Sequence, residues 1–361
     1  MVILGIINNS TEVVSIAFAH SITNLIYTSL SANARLRILS MMHFDINSQY
    51  ILRIVVSIIF ITILVLFSYL NILKIENIFF FVVIRKSLDW VLELYISDSE
   101  NNFNNNLIKS YLFIDALSYF YILYSCIFNT NYIIFSFIIW AFIPFVFLFK
   151  NFPNLKFKYF EFGKLNYNDF LSTFSIGFVI LYQRVFIYLM WGTDVSAKFF
   201  VAFAIGGAVS SLVNTILVPS YIKRNKFQLN LNSLNKINKA IKFNILIILV
   251  SIILLSFNII YNVINESVIV SNYYISSVII SIFGSFFMIS GGLFKVIYIQ
   301  VINKNNDLIE LLIAFFSIIF ITFVGFTYGI LGLVFSYLFI SLINFIFYTI
   351  SLKYECKRLI N

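Results

Sequence analysis

The chain has 361 residues, of which 61% are apolar and only 11% are charged, and its mean hydropathy is +0.97. Soluble proteins average about 45–50% apolar and about 25% charged residues, so this composition excludes a soluble fold. The net charge of +9 does not indicate a nucleic-acid-binding protein, because the basic residues lie mainly in short loops between apolar stretches, where lipid headgroups explain them.

Apolar stretches of about 20 residues, the length that a transmembrane helix needs, recur along the whole chain. They predict an all-α, polytopic helical membrane protein with about 11 transmembrane helices in two lobes. The N-terminal lobe would be residues 1–165 and the C-terminal lobe residues 166–361. The predicted spans are residues 13–32, 51–71, 77–97, 107–128, 131–150, 169–190, 197–219, 241–263, 273–300, 308–327 and 331–352.

The distribution of Lys and Arg predicts how the spans are oriented. With the N-terminus outside, 19 of the 24 basic residues fall in cytoplasmic stretches, Arg53 among them, 2 fall outside and 3 lie within spans. This asymmetry is what the positive-inside rule requires. It places the C-terminus in the cytoplasm.

Charges within the third span are the first candidates for function, because each costs about 2.5–3.5 kcal/mol at mid-bilayer. Arg85, Asp89 and Glu93 recur at intervals of four residues and should share one helical face, with Lys86 beside it. Asp115 lies at a similar depth in the next span. The pattern fits a hydrated substrate cavity, and equally a self-neutralising network that fixes helix packing.

Three other intramembrane residues carry weaker signals. Arg184 lies near the outer end of its span, close enough to the interface to snorkel or to face a cavity, and Lys295 lies near the cytoplasmic end of its own span, where snorkelling is expected. His20 is a single histidine among small residues, which is typical of a helix-packing group. Several glycines would permit close helix packing or bending: Gly206-Gly207, Gly284, Gly291-Gly292 and the Gly325/Gly329 spacing.

Short motifs also follow one another in a defined order. They are Leu4-Gly5, Ala17-Phe18-Ala19, Ser31-Ala32-Asn33-Ala34-Arg35, Gln183-Arg184, Trp191-Gly192, Ala202-Phe203-Ala204, Val218-Pro219 and Tyr328-Gly329-Ile330-Leu331-Gly332. This order resembles the polysaccharide (O-antigen) flippases of the multidrug/oligosaccharidyl-lipid/polysaccharide exporter superfamily. Gln183 replaces the family's usual acidic residue, so no role of that carboxylate carries over. The last motif resembles the turn between the family's final two helices.

The resemblance implies a flippase that moves a lipid-linked oligosaccharide across a bacterial cytoplasmic membrane by alternating access. The cargo would be an O-antigen or capsule unit on a polyprenyl diphosphate, and the partners would be polysaccharide polymerase and glycosyltransferase machinery. Candidate headgroup contacts are Arg85, Lys86, Arg184 and Lys295, and candidate counter-ions or ion-coupling groups are Asp89, Glu93 and Asp115. Family members have twelve or more spans, so the first family helix is expected to be missing here.

Enzyme readings find little support in the sequence. There is no phosphate-cradling glycine loop, no zinc spacing of Cys and His, and no nucleophile elbow, so neither an enzyme nor a metal or other cofactor is expected. Three alternatives remain open: a drug exporter of the same superfamily, a membrane glycan polymerase, and a truncated inactive relic. The short external loops, nearly free of basic residues, argue against the polymerase.

Overall fold

The structure is a computed structural model that describes residues 4, 10–31, 38, 46–70, 77–101, 105–128, 132–150, 167–225, part of 277–298, and 307–360. Every regular element in these ranges is a helix, which confirms the all-α prediction. The helices are α1 (Ser10–Ser31), α2 (Ile46–Tyr69), α3 (Asn77–Asn101), α4 (Asn105–Phe128), α5 (Ile133–Lys150), α6 (Tyr167–Asn225), α7 (Ile279–Gly292) and α8 (Asp307–Ile360).

Within these ranges, 6 helical segments are long and apolar enough to cross a membrane, so the chain is a multi-pass membrane protein. They are Ser10–Ser31, Ser48–Leu66, Ile108–Phe128, Thr173–Ile205, Ile309–Ile330 and Gly332–Tyr354. Two further apolar helices, Ile133–Phe149 and Ile279–Gly292, are shorter. The third predicted span is a helix, α3, but it carries many charges, and the predicted span 241–263 lies outside the described residues. The count of eleven therefore stays a prediction.

The first of two compact units runs from Ile3 to Arg184, and α3 lies at its centre. α3 packs against α1, α2, α4 and α5, and α4 also packs against α5. A helix with protein on four sides can carry charged side chains that meet partners instead of lipid. α4, by contrast, exposes large apolar side chains such as Phe113 and Phe120, as a lipid-facing helix does. The predicted lobe boundary after residue 165 falls outside the described residues and stays a prediction.

The second compact unit runs from Val185 to Asn361, and in it α7 packs closely against α8. A Cβ atom at Gly284 would lie 2.6 Å from the Tyr337 ring, and one at Gly291 would lie 3.2 Å from the backbone nitrogen of Phe345. Glycines seven residues apart lie on one helical face and let two backbones approach. Close packing, predicted for these glycines, is therefore confirmed at both positions.

Two glycines interrupt the long helices α6 and α8. Gly192 has φ 74° and ψ −172°, and Gly329 has φ 61° and ψ −143°. Residues with a side chain rarely adopt this region, because the Cβ atom collides with the backbone. The bend at Gly192 separates the predicted spans 169–190 and 197–219, and the bend at Gly329 lies in the Tyr-Gly-Ile motif, where a turn was expected.

We predict that Gly192→Ala and Gly329→Ala each lower the free energy of unfolding by about 1–3 kcal/mol, the cost of holding a side chain in this backbone region. The measurement is the thermal unfolding midpoint of the detergent-purified protein. The matched control is Gly292→Ala, because Gly292 lies in a helix and a Cβ atom there meets nothing within 4 Å. An equal loss at Gly292 would contradict the explanation by backbone strain.

Candidate functional site

Arg85 is the centre of a polar cluster inside the first unit, although only 1% of its side chain is exposed. Its Nε donates to Asp89 Oδ2 at 2.9 Å, and its Nη2 donates to Asp115 Oδ1 at 2.6 Å. Its Nη1 donates to the backbone oxygen of Trp140 at 2.7 Å. One guanidinium thus ties α3 to α4 and to α5, which confirms that Asp89 and Asp115 lie at a similar depth.

Tyr111 of α4 closes this cluster. Its hydroxyl accepts from Arg85 Nη2 at 2.8 Å and donates to Asp89 Oδ1 at 2.8 Å. The guanidinium carbon also lies over the Trp140 ring, 5.1 Å from its centroid. A guanidinium has five N–H donors, and the contacts described here occupy four of them. Arg85 is therefore held by protein groups, and the geometry supports a packing role for it.

A second polar cluster joins α3 to α1 and α2. Arg53 is fully buried, and its Nη1 donates to Glu93 Oε2 at 2.9 Å and also to the backbone oxygen of Trp90. Its Nη2 donates to Ser31 Oγ at 3.2 Å, and the Trp90 indole donates to the same oxygen at 2.5 Å. The Trp90 ring lies between Arg53 and Tyr27, at 5.0 Å from the guanidinium carbon and 4.5 Å from the stacked Tyr27 ring.

These two clusters correct two sequence-based expectations. Glu93 does not share a face with Arg85 and Asp89, because each step of four residues turns a side chain by about 40°, and eight residues turn it by about 80°. Glu93 therefore meets Arg53 on α2 and not Arg85. Arg53, counted among the cytoplasmic loop cations, is a buried residue of α2.

Lys86, His20 and Arg184 come from three helices that are in contact, because α3 packs against α1 and Arg184 hydrogen-bonds to α1. Lys86 and Arg184 are both close enough to His20 to act on it electrostatically. Lys86 also interacts electrostatically with Asp89 and Asp115, but within the described ranges no carboxylate comes into ion-pair contact with it. The sequence interpretation of His20 as a packing residue overlooked this neighbourhood, which no motif or spacing indicates.

The basic cluster, as we call Lys86, His20 and Arg184, lies far from the helix ends. His20 is at the middle of the 22-residue α1, and Lys86 is near the middle of the 25-residue α3. Arg184 precedes the Gly192 bend by about two helical turns. It does not snorkel outward, since its Nη1 donates to Ala17 O and Ser21 Oγ of α1, both at 2.5 Å.

Lys295 belongs to the second unit and is also buried. Its Nζ donates to Glu310 Oε2 at 2.8 Å, and the exposed fractions of the two side chains are only 10% and 5%. The Tyr348 ring centroid lies 6.0 Å from the ammonium. The snorkelling expected for Lys295 is therefore wrong. The sequence analysis did not name Glu310 as its partner. An acidic residue inside the predicted span 308–327 was the signal that could have identified it.

We predict that Tyr111→Phe lowers the free energy of unfolding by about 1–3 kcal/mol, because it removes a hydroxyl that bridges a buried guanidinium and a carboxylate. The thermal unfolding midpoint in detergent measures the loss. Tyr132→Phe is the control, since Tyr132 is more than half exposed. Equal midpoints for the two variants would show that the bridge contributes nothing.

We predict that Lys295→Met lowers the free energy of unfolding by about 3–5 kcal/mol, because it leaves the Glu310 carboxylate buried without its cation. Adding Glu310→Gln to the same chain should restore most of that loss, because no uncompensated charge remains. Midpoints of both variants, compared with the native chain, test this. A double variant as unstable as the single one would contradict the role of the ion pair.

Comparison of the chain with protein-family models, with curated proteins and with solved structures gives no match in any of the three. A functional assignment therefore depends on the sequence patterns and on the geometry of the polar clusters. Among those clusters, Arg85 and Lys295 are held in ion pairs with protein carboxylates, and the basic cluster is the arrangement best suited to meet an anionic ligand.

Proposed function

We propose that this protein flips a lipid-linked oligosaccharide across a bacterial cytoplasmic membrane for the synthesis of a surface polysaccharide. The observation that carries the proposal is the basic cluster, in which Arg184 hydrogen-bonds to α1 beside His20 and Lys86 lies on α3, the helix that packs against α1. Alternate opening of the polar interior to each leaflet would let the anionic headgroup and its glycan cross the membrane.

The cost of charge in a membrane supports a functional role for this cluster. A cation at mid-bilayer costs about 2.5–3.5 kcal/mol, and such residues typically mark a substrate or ion pathway. In the Arg85 and Arg53 clusters, carboxylate oxygens at 2.6–2.9 Å from the guanidinium nitrogens offset that cost. Lys86 has no such contact within the described ranges, so a packing role explains it less well.

The chemistry of Lys86 favours an anionic headgroup as its ligand. An ammonium carries three rotatable donors on a flexible stem, and lysine is a common ligand of phosphate groups. The neighbouring Arg184 adds a second positive charge and His20 a ring nitrogen that can donate. A diphosphate, which carries several acceptor oxygens and negative charges, matches this set.

The motif order described above supports the lipid-linked glycan as the cargo. Its resemblance to polysaccharide flippases extends over nearly the whole chain, and the Gly329 bend lies where that resemblance expects a turn. We propose that the C-terminus is cytoplasmic, in keeping with the distribution of basic residues. Asp89 and Asp115, next to Lys86, are proposed as counter-ions or ion-coupling groups.

We predict that Lys86→Gln impairs flipping, because it removes one positive charge while keeping a polar side chain of similar size. In a strain lacking the native gene, cells that carry this variant should display less surface polysaccharide and accumulate lipid-linked units on the cytoplasmic side. Lys86→Arg should retain more activity. The matched control is Lys198→Gln, an exposed lysine on α6, which should restore display fully.

A simpler experiment, deletion of the gene, also tests the proposal. If cells without the gene display their polysaccharide fully and accumulate no lipid-linked units, the chain does not flip this cargo. Normal display with Lys86→Gln, at native amounts of protein in the membrane, would remove the basic cluster from the mechanism.

A further inference from the structure

A proline lies inside α5, and its effect falls on one backbone oxygen. Pro144 is buried, and the helix continues on both sides of it, from Ile133 to Lys150. In an α-helix each backbone N–H donates to the carbonyl four residues before it, and proline has no N–H to donate. The carbonyl four residues before Pro144 is that of Trp140, which therefore lacks its usual donor within the helix.

Arg85 of α3 donates to this same oxygen. Its Nη1 lies 2.7 Å from Trp140 O, and its guanidinium carbon lies over the Trp140 ring, 5.1 Å from the centroid. Arg85 and Trp140 are both buried, and α3 packs against α5. A buried carbonyl without a donor is costly, so a donor from a neighbouring helix stabilises the structure. The proline creates the acceptor, and Arg85 supplies the donor.

The bond to α5 also fixes where the rest of the guanidinium points. This group is a rigid planar fork, so the position of one nitrogen limits the positions of the others. With Nη1 on Trp140 O, Nε donates to Asp89 at 2.9 Å and Nη2 donates to Asp115 at 2.6 Å. Trp140 O thus helps to hold Arg85 on both carboxylates.

Lys86 is close enough to interact electrostatically with the same two carboxylates. Asp89 follows Lys86 by three residues in α3, a spacing that brings two side chains together on a helix. Both carboxylates are engaged by Arg85, and within the described ranges neither is in ion-pair contact with Lys86. A guanidinium that turned away would leave Asp89 and Asp115 to pair with Lys86 instead.

We infer that Pro144 is a positioning residue: by leaving Trp140 O without a helical donor it holds Arg85 on Asp89 and Asp115, and so keeps Lys86 available to an anionic ligand. The role given to Lys86 rests on the proposed function. The hold of Pro144 on Arg85 rests only on the contacts among α3, α4 and α5. Two experiments test these steps separately.

The first experiment is a double-mutant cycle on the stability of the full chain in detergent. Pro144→Ala, which returns a backbone N–H to α5, is made in the native chain and in a chain that carries Arg85→Met with Asp115→Asn. The second background removes the guanidinium together with one of its carboxylates. Arg85→Lys is a milder second background, which keeps the test decisive if the first does not fold.

The expected result is non-additivity. Pro144→Ala should favour the folded state by about tenfold more in the background without Arg85 than in the native chain, because only there does Trp140 O need the new donor. Phe145→Ala is the matched control, since Phe145 is exposed and keeps its own N–H, and it should shift both backgrounds equally. An equal effect of Pro144→Ala in both backgrounds would overturn the inference.

The second experiment measures binding of farnesyl diphosphate, a short polyprenyl diphosphate, to the purified protein. Pro144→Ala should weaken binding by about tenfold, because the carboxylates released by Arg85 pair with Lys86. Adding Asp115→Asn should restore most of the affinity, since Lys86 loses that competitor. A proline that only stabilised the helix bundle gives no such restoration. Native affinity in Pro144→Ala would contradict the positioning role.

The two experiments separate failure of the inference from failure of the proposed function. If Lys86→Gln leaves the binding of farnesyl diphosphate unchanged, the proposed function loses its ligand site, and the part of the inference that concerns Lys86 is overturned with it. If binding depends on Lys86 but the cycle is additive, Pro144 does not position Arg85 and the proposed function still stands.

Discussion

The guanidinium of Arg85 is buried in an apolar helix bundle, so the groups around it have to accept its hydrogen bonds and balance its charge. Arg85 has almost no access to solvent, and the cost of its charge is offset by two carboxylates, a tyrosine hydroxyl and a backbone carbonyl. These partners come from α3 itself, α4 and α5, so one side chain sets the relative depth of three helices. Because hydrogen bonds are directional, the cluster specifies a register that apolar packing alone leaves open.

The cations that lie inside the described helices differ in whether a carboxylate contacts them. Arg53, Arg85 and Lys295 each contact a carboxylate on a neighbouring helix or one turn away, and these contacts stabilise helix packing. Lys86 differs, because it adjoins the carboxylates of the Arg85 cluster without contacting one and lies near His20 on α1. One turn of α3 thus carries Arg85, which stabilises helix packing, and Lys86, which we propose binds the substrate.

Sequence patterns predict the helices of this chain better than the partners of its charges. Long apolar runs predicted the helices that the structure describes, and the Tyr-Gly-Ile motif predicted the Gly329 turn, because both depend on local chemistry. The pairs Arg53–Glu93 and Lys295–Glu310 depend on which helices are neighbours, and one sequence does not contain that information. Arg85 and Asp89 were paired correctly because four residues along one helix bring two side chains together whatever the tertiary structure.

The composition of α3 has a consequence for how the protein is made. Its central charges make α3 a poor substrate for insertion into a bilayer by itself, since each charged residue there disfavours insertion by a few kcal/mol. Its charge partners lie on α2, which is synthesised before it, and on α4, which follows. α3 is therefore expected to remain at the insertion machinery until α4 emerges, and to move into lipid together with both neighbours.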